Sequence, residues 1–124
     1  MEFRDYCLSL PFTDESTPFD QTTLVYKVGG RMFAYAGMDD FRRICVKCDP
    51  EEAEQLRETY PEITPAHHSS KRHWNDIAVA GDLPDALIRE QIRNSYIAVL
   101  RSNVTPRQLR DKIVAAARSA GIIV

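Results

Sequence analysis

Apolar side chains recur along this chain with two periods, and the switches between them mark out the elements. Phe3, Tyr6, Cys7 and Leu10 fall at i, i+3, i+4 and i+7, the stripe of an amphipathic helix over residues 2–10 that Pro11 ends. The stretch LPFTDESTPFD that follows holds two prolines and little periodicity, so it reads as an ordered loop. TTLVYKV and RMFAYAG are then two β-rich runs separated by Gly29-Gly30, a pair able to take the positive φ of a tight hairpin turn. In RICVKC, Ile44, Val46 and Cys48 alternate with Arg43, Cys45 and Lys47, the pattern of a third, half-buried strand.

The period then returns to helical. Asp49 can cap a helix that has Pro50 at its first position and Glu52 as capping-box partner, with Ala53, Leu56 and Tyr60 facing inward. Glu51, Glu52 and Glu54 favour the positive end of that helix dipole, which accounts for the acidic run without a metal. WNDIAVAG supplies a fourth strand with Trp74, Ile77 and Val79 as its apolar members. Asp82 and Pro84 introduce a helix of about sixteen residues with Ile88, Ile92, Tyr96, Val99 and Leu100 on one face. Thr105-Pro106 starts a last helix, reaching to residue 120, with Leu109, Ile113, Ala116, Ala117 and Ala120 inside and Gly121 at its end. The order α-β-β-β-α-β-α-α has hairpins and no βαβ series, so the predicted class is α+β, with a mainly antiparallel sheet of about four or more strands and flanking helices.

Length keeps this to a single domain over residues 1–124, since such a chain buries roughly two-thirds of its unfolded surface around one core. No run approaches the ~20 apolar residues that span a bilayer, and the first fifteen residues carry Glu2, Arg4, Asp5, Asp14 and Glu15 in place of a secretion signal. Three cysteines, an odd number, fit free thiols in a reducing cytoplasm better than a disulfide framework. A cytoplasmic monomer is therefore the expected state. The net charge of −2 hides an asymmetry: residues 1–66 hold 7 Lys/Arg against 13 Asp/Glu, and residues 67–124 hold 9 against 5.

The basic half opens on HHSSKRHW, residues 67–74, which gathers the chain's three histidines, a Lys-Arg pair and its single tryptophan. Cys45 and Cys48 form a Cys-x-x-Cys, and His68 and His73 have zinc-like spacing. In a strand, however, residues i and i+3 point to opposite faces, leaving one buried and one edge thiol, and nineteen residues with a whole helix separate Cys48 from His68. Redox chemistry fails on the same geometry. His68, His73 and Asp76 lack a nucleophile in a recognisable setting, since Ser69 and Ser70 have no glycine-flanked elbow and no phosphate-binding loop is present. A non-enzyme without metal or cofactor is expected. Nucleic-acid contact suits the residue types better: Lys71, Arg72 and a protonated His73 can meet phosphates, Ser69 and Ser70 can donate to them, and Arg89 and Arg93, with Arg101, Arg107 and Arg110, extend the positive field where their helices share that face. Trp74 is either a stacking platform or, opening a strand, a core anchor, and the core role is the commoner one. A protein-interaction or regulatory module, using the acidic half, is the alternative.

From about Leu10 to Leu100 the chain resembles the MmcQ/YjbR family of small bacterial proteins, through LPFTDESTPF, VGGRMFAY, VKCDPEEAEQLRETYPEITPAHHSSKRHW, VAGDLPDALI and NSY in that order. His68, Lys71, His73 and Trp74 match a His-x-Asn-Lys-x-x-Trp-like signature, and Ser95 and Tyr96 match a Ser-Tyr pair on the long helix. Phe12 stands where the family usually has Gly, and Ser70 where it usually has Asn. The resemblance implies an α+β fold likened to frataxin (CyaY-like) and a double-wing arrangement that has been proposed to bind DNA; His68, Trp74, Ser95 and Tyr96 are then expected to hold the motif in place.

Overall fold

The computed structural model describes residues 3–38 and 41–124. Its elements run α1 (Phe3–Ser9), β1 (Thr13–Ser16), β2 (Thr23–Val28), β3 (Arg31–Gly37), β4 (Arg43–Lys47), α2 (Pro50–Thr59), β5 (Ile63–Pro65), β6 (Trp74–Ala78), α3 (Asp85–Asn103) and α4 (Arg107–Ser119). The predicted α+β order therefore stands, with two short strands added. All pairings are antiparallel, in the order β1-β2-β3-β4-β6-β5.

The two added strands are the sheet's outer strands. β1 lies inside the stretch read as a loop: its sequence, TDES, has no apolar alternation because an edge strand is held by backbone pairing to β2 and does not need an apolar face. β5 ends on Pro65, a residue that removes a ladder donor and belongs at an edge. Between α1 and β1 the Thr13 hydroxyl donates to the carbonyls of Cys7, at 3.0 Å, and Leu10, at 2.8 Å, closing the helix end. The hairpin turn is as the sequence requires, with φ of 55° at Gly29 and 82° at Gly30. A Cβ on Gly29 would come within 2.8 Å of a Val104 methyl, so close packing as well as φ keeps glycine there.

The core lies on one side of the sheet. Tyr26, Val28, Phe33, Ala34, Ile44, Val46 and Ile77 pack there against Ile88, Ile92, Tyr96, Val99 and Leu100 of α3, with α1 and α4 adding Phe3, Cys7, Ile113 and Ala117. The stripe read from the sequence is thus the buried face of α3, although the helix runs nineteen residues and begins after Pro84. α2 is capped as expected, its Glu52 N–H bonded to the Asp49 carboxylate at 3.3 Å. In α4 the inner face is Ile113 and Ala117, while Ala120, expected inside, is exposed at the helix end.

β3 carries one extra residue opposite Tyr26/Lys27, and this bulge turns both Phe33 and Ala34 toward the core. In β6 the buried residues are Asn75 and Ile77, with Val79 just beyond. Trp74, grouped with Ile77 and Val79 in the sequence, therefore has the opposite parity and lies on the other face.

Candidate functional site

That second face carries no described helix. Across β3, β4 and β6 it presents one ladder row of Tyr35, Cys45 and Asp76, directly paired strand to strand. Loop 17–22 stands on one side and the turn 66–73 on the other, and between them is a cleft of about 770 Å³ whose lining includes Phe19, Tyr35, Arg43, Cys45, His68 and Asp76.

The turn is held by backbone-directed cations. Arg57 of α2 donates from Nε to the Asn75 side-chain oxygen at 2.7 Å and from Nη2 to the carbonyls of Lys71 and, at 3.3 Å, Trp74. Lys71 Nζ donates to the Ala66 carbonyl at 2.7 Å. The carbonyl of Ser70 accepts from the N–H groups of His73 and Trp74, and the Cys48 N–H binds the carbonyl of His73 at 2.7 Å, joining the turn to the end of β4. Lys71, expected to meet phosphates, is bonded into the scaffold of its own turn. Arg72, His73, Ser70, His67 and His68 remain exposed.

Trp74 is half-buried rather than a core anchor, its ring 5.8 Å from that of Tyr35 at an interplanar angle of 45°. The Tyr35 hydroxyl lies 2.7 Å from the Ser69 hydroxyl, which also sits 3.9 Å from the Cys45 sulfur. Asp76 forms an ion pair with Arg43, Nε to carboxylate oxygen 3.0 Å, and Arg43 Nη2 reaches the Thr64 hydroxyl at 3.2 Å. Tyr35 and Arg43 had no part in the sequence-derived site, and Ser69, read there as a phosphate donor, is bonded to Tyr35. The available signal was parity, because Tyr35 and Arg43 alternate with the core positions of their strands.

Cys45 and Cys48 are both buried, so neither is the edge thiol expected. Burial pushes the Cys45 thiol up to about 11, with the Tyr35 and Ser69 hydroxyls opposing the rise, and it pushes Cys48 up to about 11 as well, with Glu52 and Asp49 adding to it. Both are thus protonated thiols at neutral pH, without the thiolate that nucleophilic or redox chemistry requires. Cys45 faces Tyr35, Ser69 and Asp76, whereas the charges that reach Cys48 are those of Asp49, Glu52 and Arg57. Among the described residues no three of His, Cys, Asp and Glu converge as metal ligands would.

Ser95 and Tyr96 sit on the far side of the sheet and act on the scaffold. The buried Ser95 hydroxyl donates to the Phe33 carbonyl at 2.6 Å and accepts from the Lys47 N–H at 2.9 Å, bridging β3 and β4. Tyr96 donates to the Pro11 carbonyl at 2.7 Å and meets Phe33 edge-on at 5.5 Å. Arg93 bonds the Tyr6 hydroxyl at 3.3 Å and lines a separate depression shared with α1 and residues 120–123. Arg89 is exposed in the same helix layer. The structure thus does not bring Arg93 to the 67–74 turn.

The YjbR family model matches residues 8–98, a span holding the cleft, the turn and the Ser-Tyr pair of α3. The chain belongs to the YjbR family. Escherichia coli YjbR (strain K12) is 30% identical over 114 residues, 91% of this chain and 95% of that one, and YbdF of E. coli O157:H7 is 31% identical over 94 residues, 75% and 77%. The crystal structure of a Deinococcus radiodurans protein, DR2400, with a DUF419 domain, superposes with a TM-score of 0.81 at 35% identity, covering 90% of this chain and 85% of that one. A Pseudomonas syringae protein, 24% identical, shares the fold with a TM-score of 0.68 over 78% of this chain and 95% of that one. In this YjbR protein, then, helices seal one face of an antiparallel sheet, and the described residues leave the other open around the cleft. Among the described residues no helix is long and apolar enough to cross a membrane.

Proposed function

We propose that this YjbR protein is a non-catalytic, intracellular binder of single-stranded nucleic acid, which lies across the helix-free face of the sheet. One observation carries the reading: the Tyr35–Trp74 ring pair stands on that face beside the exposed Arg72, His67, His68 and His73. Aromatic rings on an open sheet stack unpaired bases whatever their sequence, and adjacent cations meet the phosphates. A duplex keeps its bases stacked inside and gains nothing from such a platform. The net charge of −2 fits binding by stacking better than binding by a broad electrostatic field.

Titration with single-stranded DNA, single-stranded RNA and duplex DNA at two salt concentrations tests this. Single strands should bind more tightly than duplex. Tyr35→Ala should weaken them by about 5- to 150-fold, the worth of one stacked base. Arg72→Ala should lower the salt slope by about one, and Lys71→Ala should not, because its ammonium is bonded to Ala66. Equal affinity for duplex, or a Tyr35→Ala variant that binds as the parent does, overturns the reading. A second reading, docking of a basic protein partner, is favoured by the exposed Glu51, Glu54 and Glu58, which share one face of α2.

A further inference from the structure

The cleft beside the ring pair has features that a sequence-tolerant stacking platform does not need. Its rim holds Phe19, 70% exposed, an aromatic face available to a flat ligand entering the cleft. The loop that presents Phe19 is fixed: the Asp20 carboxylate accepts from the N–H and hydroxyl of Thr22, at 2.7 and 3.0 Å, and from those of Thr23, at 2.8 and 3.2 Å. Opposite, on the floor, Tyr35 is pinned by Ser69. On the same floor, further along the ladder row through Cys45, lies the Asp76 carboxylate, its side chain only 14% exposed. Arg43 Nε pairs with one of its oxygens at 3.0 Å. A volume of about 770 Å³ falls in the range of small-ligand sites and far exceeds what a single side chain fills.

We propose that this cleft is a base-reading pocket: it receives one unpaired base between Phe19 and Tyr35 and selects guanine through Asp76. The inference rests on the single-strand reading for how the base arrives, and it adds a sequence preference to it. A carboxylate accepts hydrogen bonds only, so it favours a base edge with adjacent donors. Guanine offers N1–H and N2–H side by side. Uracil and thymine set one N–H between two carbonyls that repel the carboxylate, and adenine and cytosine place one amino group next to a ring-nitrogen acceptor. Arg43 orients Asp76 through the ion pair, and Thr64 holds Arg43 in turn.

The test is an amide-resolved NMR titration of the full chain with GMP, IMP, AMP, CMP and UMP, alongside the oligonucleotide series. GMP should shift the amides of Ala36, Gly37, His68 and Asp76 and bind about tenfold more tightly than UMP, with IMP, which lacks the N2 amino group, in between. Asp76→Asn should erase that order, and Phe19→Ala, on an exposed side chain, should weaken every mononucleotide while leaving the fold intact. If Asp76→Asn does not fold, Phe19→Ala and the GMP-to-IMP ratio in the parent decide. The inference fails if no mononucleotide shifts cleft amides, or if all five bind alike. Oligonucleotides that bind with an order unchanged by Asp76→Asn overturn the pocket while the single-strand reading stands. GMP that binds in the cleft with no oligonucleotide binding keeps the pocket and overturns that reading.

Discussion

Two adjacent ladder rows cross the same three strands and meet opposite surroundings. Ala34, Val46 and Asn75 form one row, and Tyr35, Cys45 and Asp76 form its neighbour. The former is sealed beneath the helices; the latter opens onto the cleft. Because side chains alternate along a strand, a single residue step separates stability from recognition. Substitutions on the helix face should therefore cost folding, and substitutions on the cleft face should cost binding.

Phe33 and Tyr35, two residues apart on β3, give the sharpest form of that contrast, because the bulge sends Phe33 to the core. Phe33→Ala should destabilise by about 3–5 kcal/mol, the usual loss for a fully buried ring, and should leave no specific binding defect in the fraction that folds. Tyr35→Ala removes a half-buried ring and should cost less stability than Phe33→Ala while sharply reducing affinity. Chemical denaturation and oligonucleotide titration of both variants measure this, and equal stability losses would break the contrast.

Arg57 crosses the divide. It lies in α2, yet it holds the turn that walls the cleft through three oxygens. Arg57→Ala should cost about 2–3 kcal/mol, since charge-assisted bonds are lost and the buried Asn75, whose amide nitrogen already has no partner among the described residues, becomes wholly unpaired. Affinity should fall with it as the turn loosens. A loss of stability with unchanged affinity would show that the turn's shape does not matter to the ligand.

How far the sequence reveals these faces depends on whether burial follows a simple period. The hairpin, α1, α2 and the inner stripe of α3 were legible because apolar side chains mark their buried sides. In β6 Ile77 was read correctly, but the other inward residue is the polar Asn75, whose side-chain oxygen accepts from Arg57, whereas the apolar Trp74 points to the cleft face. Nothing in HHSSKRHW shows that Lys71 turns back to Ala66, because that contact depends on the path of the turn. Ser69 likewise acquires its role from Tyr35, thirty-four residues away. β1 and β5 are held by pairing to a neighbour, which leaves little trace in hydrophobicity.

Ser95 and Tyr96 test the helix side more gently. Ser95→Ala leaves the Phe33 carbonyl and the Lys47 N–H without their bridging hydroxyl and should cost about 1–3 kcal/mol, whereas Tyr96→Phe loses one bond, to Pro11, and should cost about 1 kcal/mol. Thermal unfolding reads both. Neither variant should alter oligonucleotide affinity, and a binding defect in Ser95→Ala would mean that the spacing of β3 and β4 tunes the cleft face.

The smallest effect separates two exposed phenylalanines. Phe19 stands on the cleft rim, whereas Phe12 lies at the α1–β1 junction, 46% exposed, with Lys112 Nζ 5.6 Å from its ring centre. Phe12 also has φ of 59°, a left-handed conformation that costs a bulky L-residue about 1–2 kcal/mol and costs glycine almost nothing. It occupies the position where the family resemblance expects glycine. Phe12→Gly should relieve that strain, but glycine frees the unfolded chain by about 0.4–1 kcal/mol and the change removes an exposed cation–π contact worth about 0.5–1 kcal/mol. The terms nearly offset, so the urea midpoint should move little, with any gain below about 1 kcal/mol set by the strain. Lys112→Ala, which removes the contact and keeps the strain, should be slightly destabilising. Phe12→Gly should bind nucleotides as the parent does, whereas Phe19→Ala should not; equal binding losses in the two variants would show that exposed aromatic surface in general, rather than the cleft, holds the ligand.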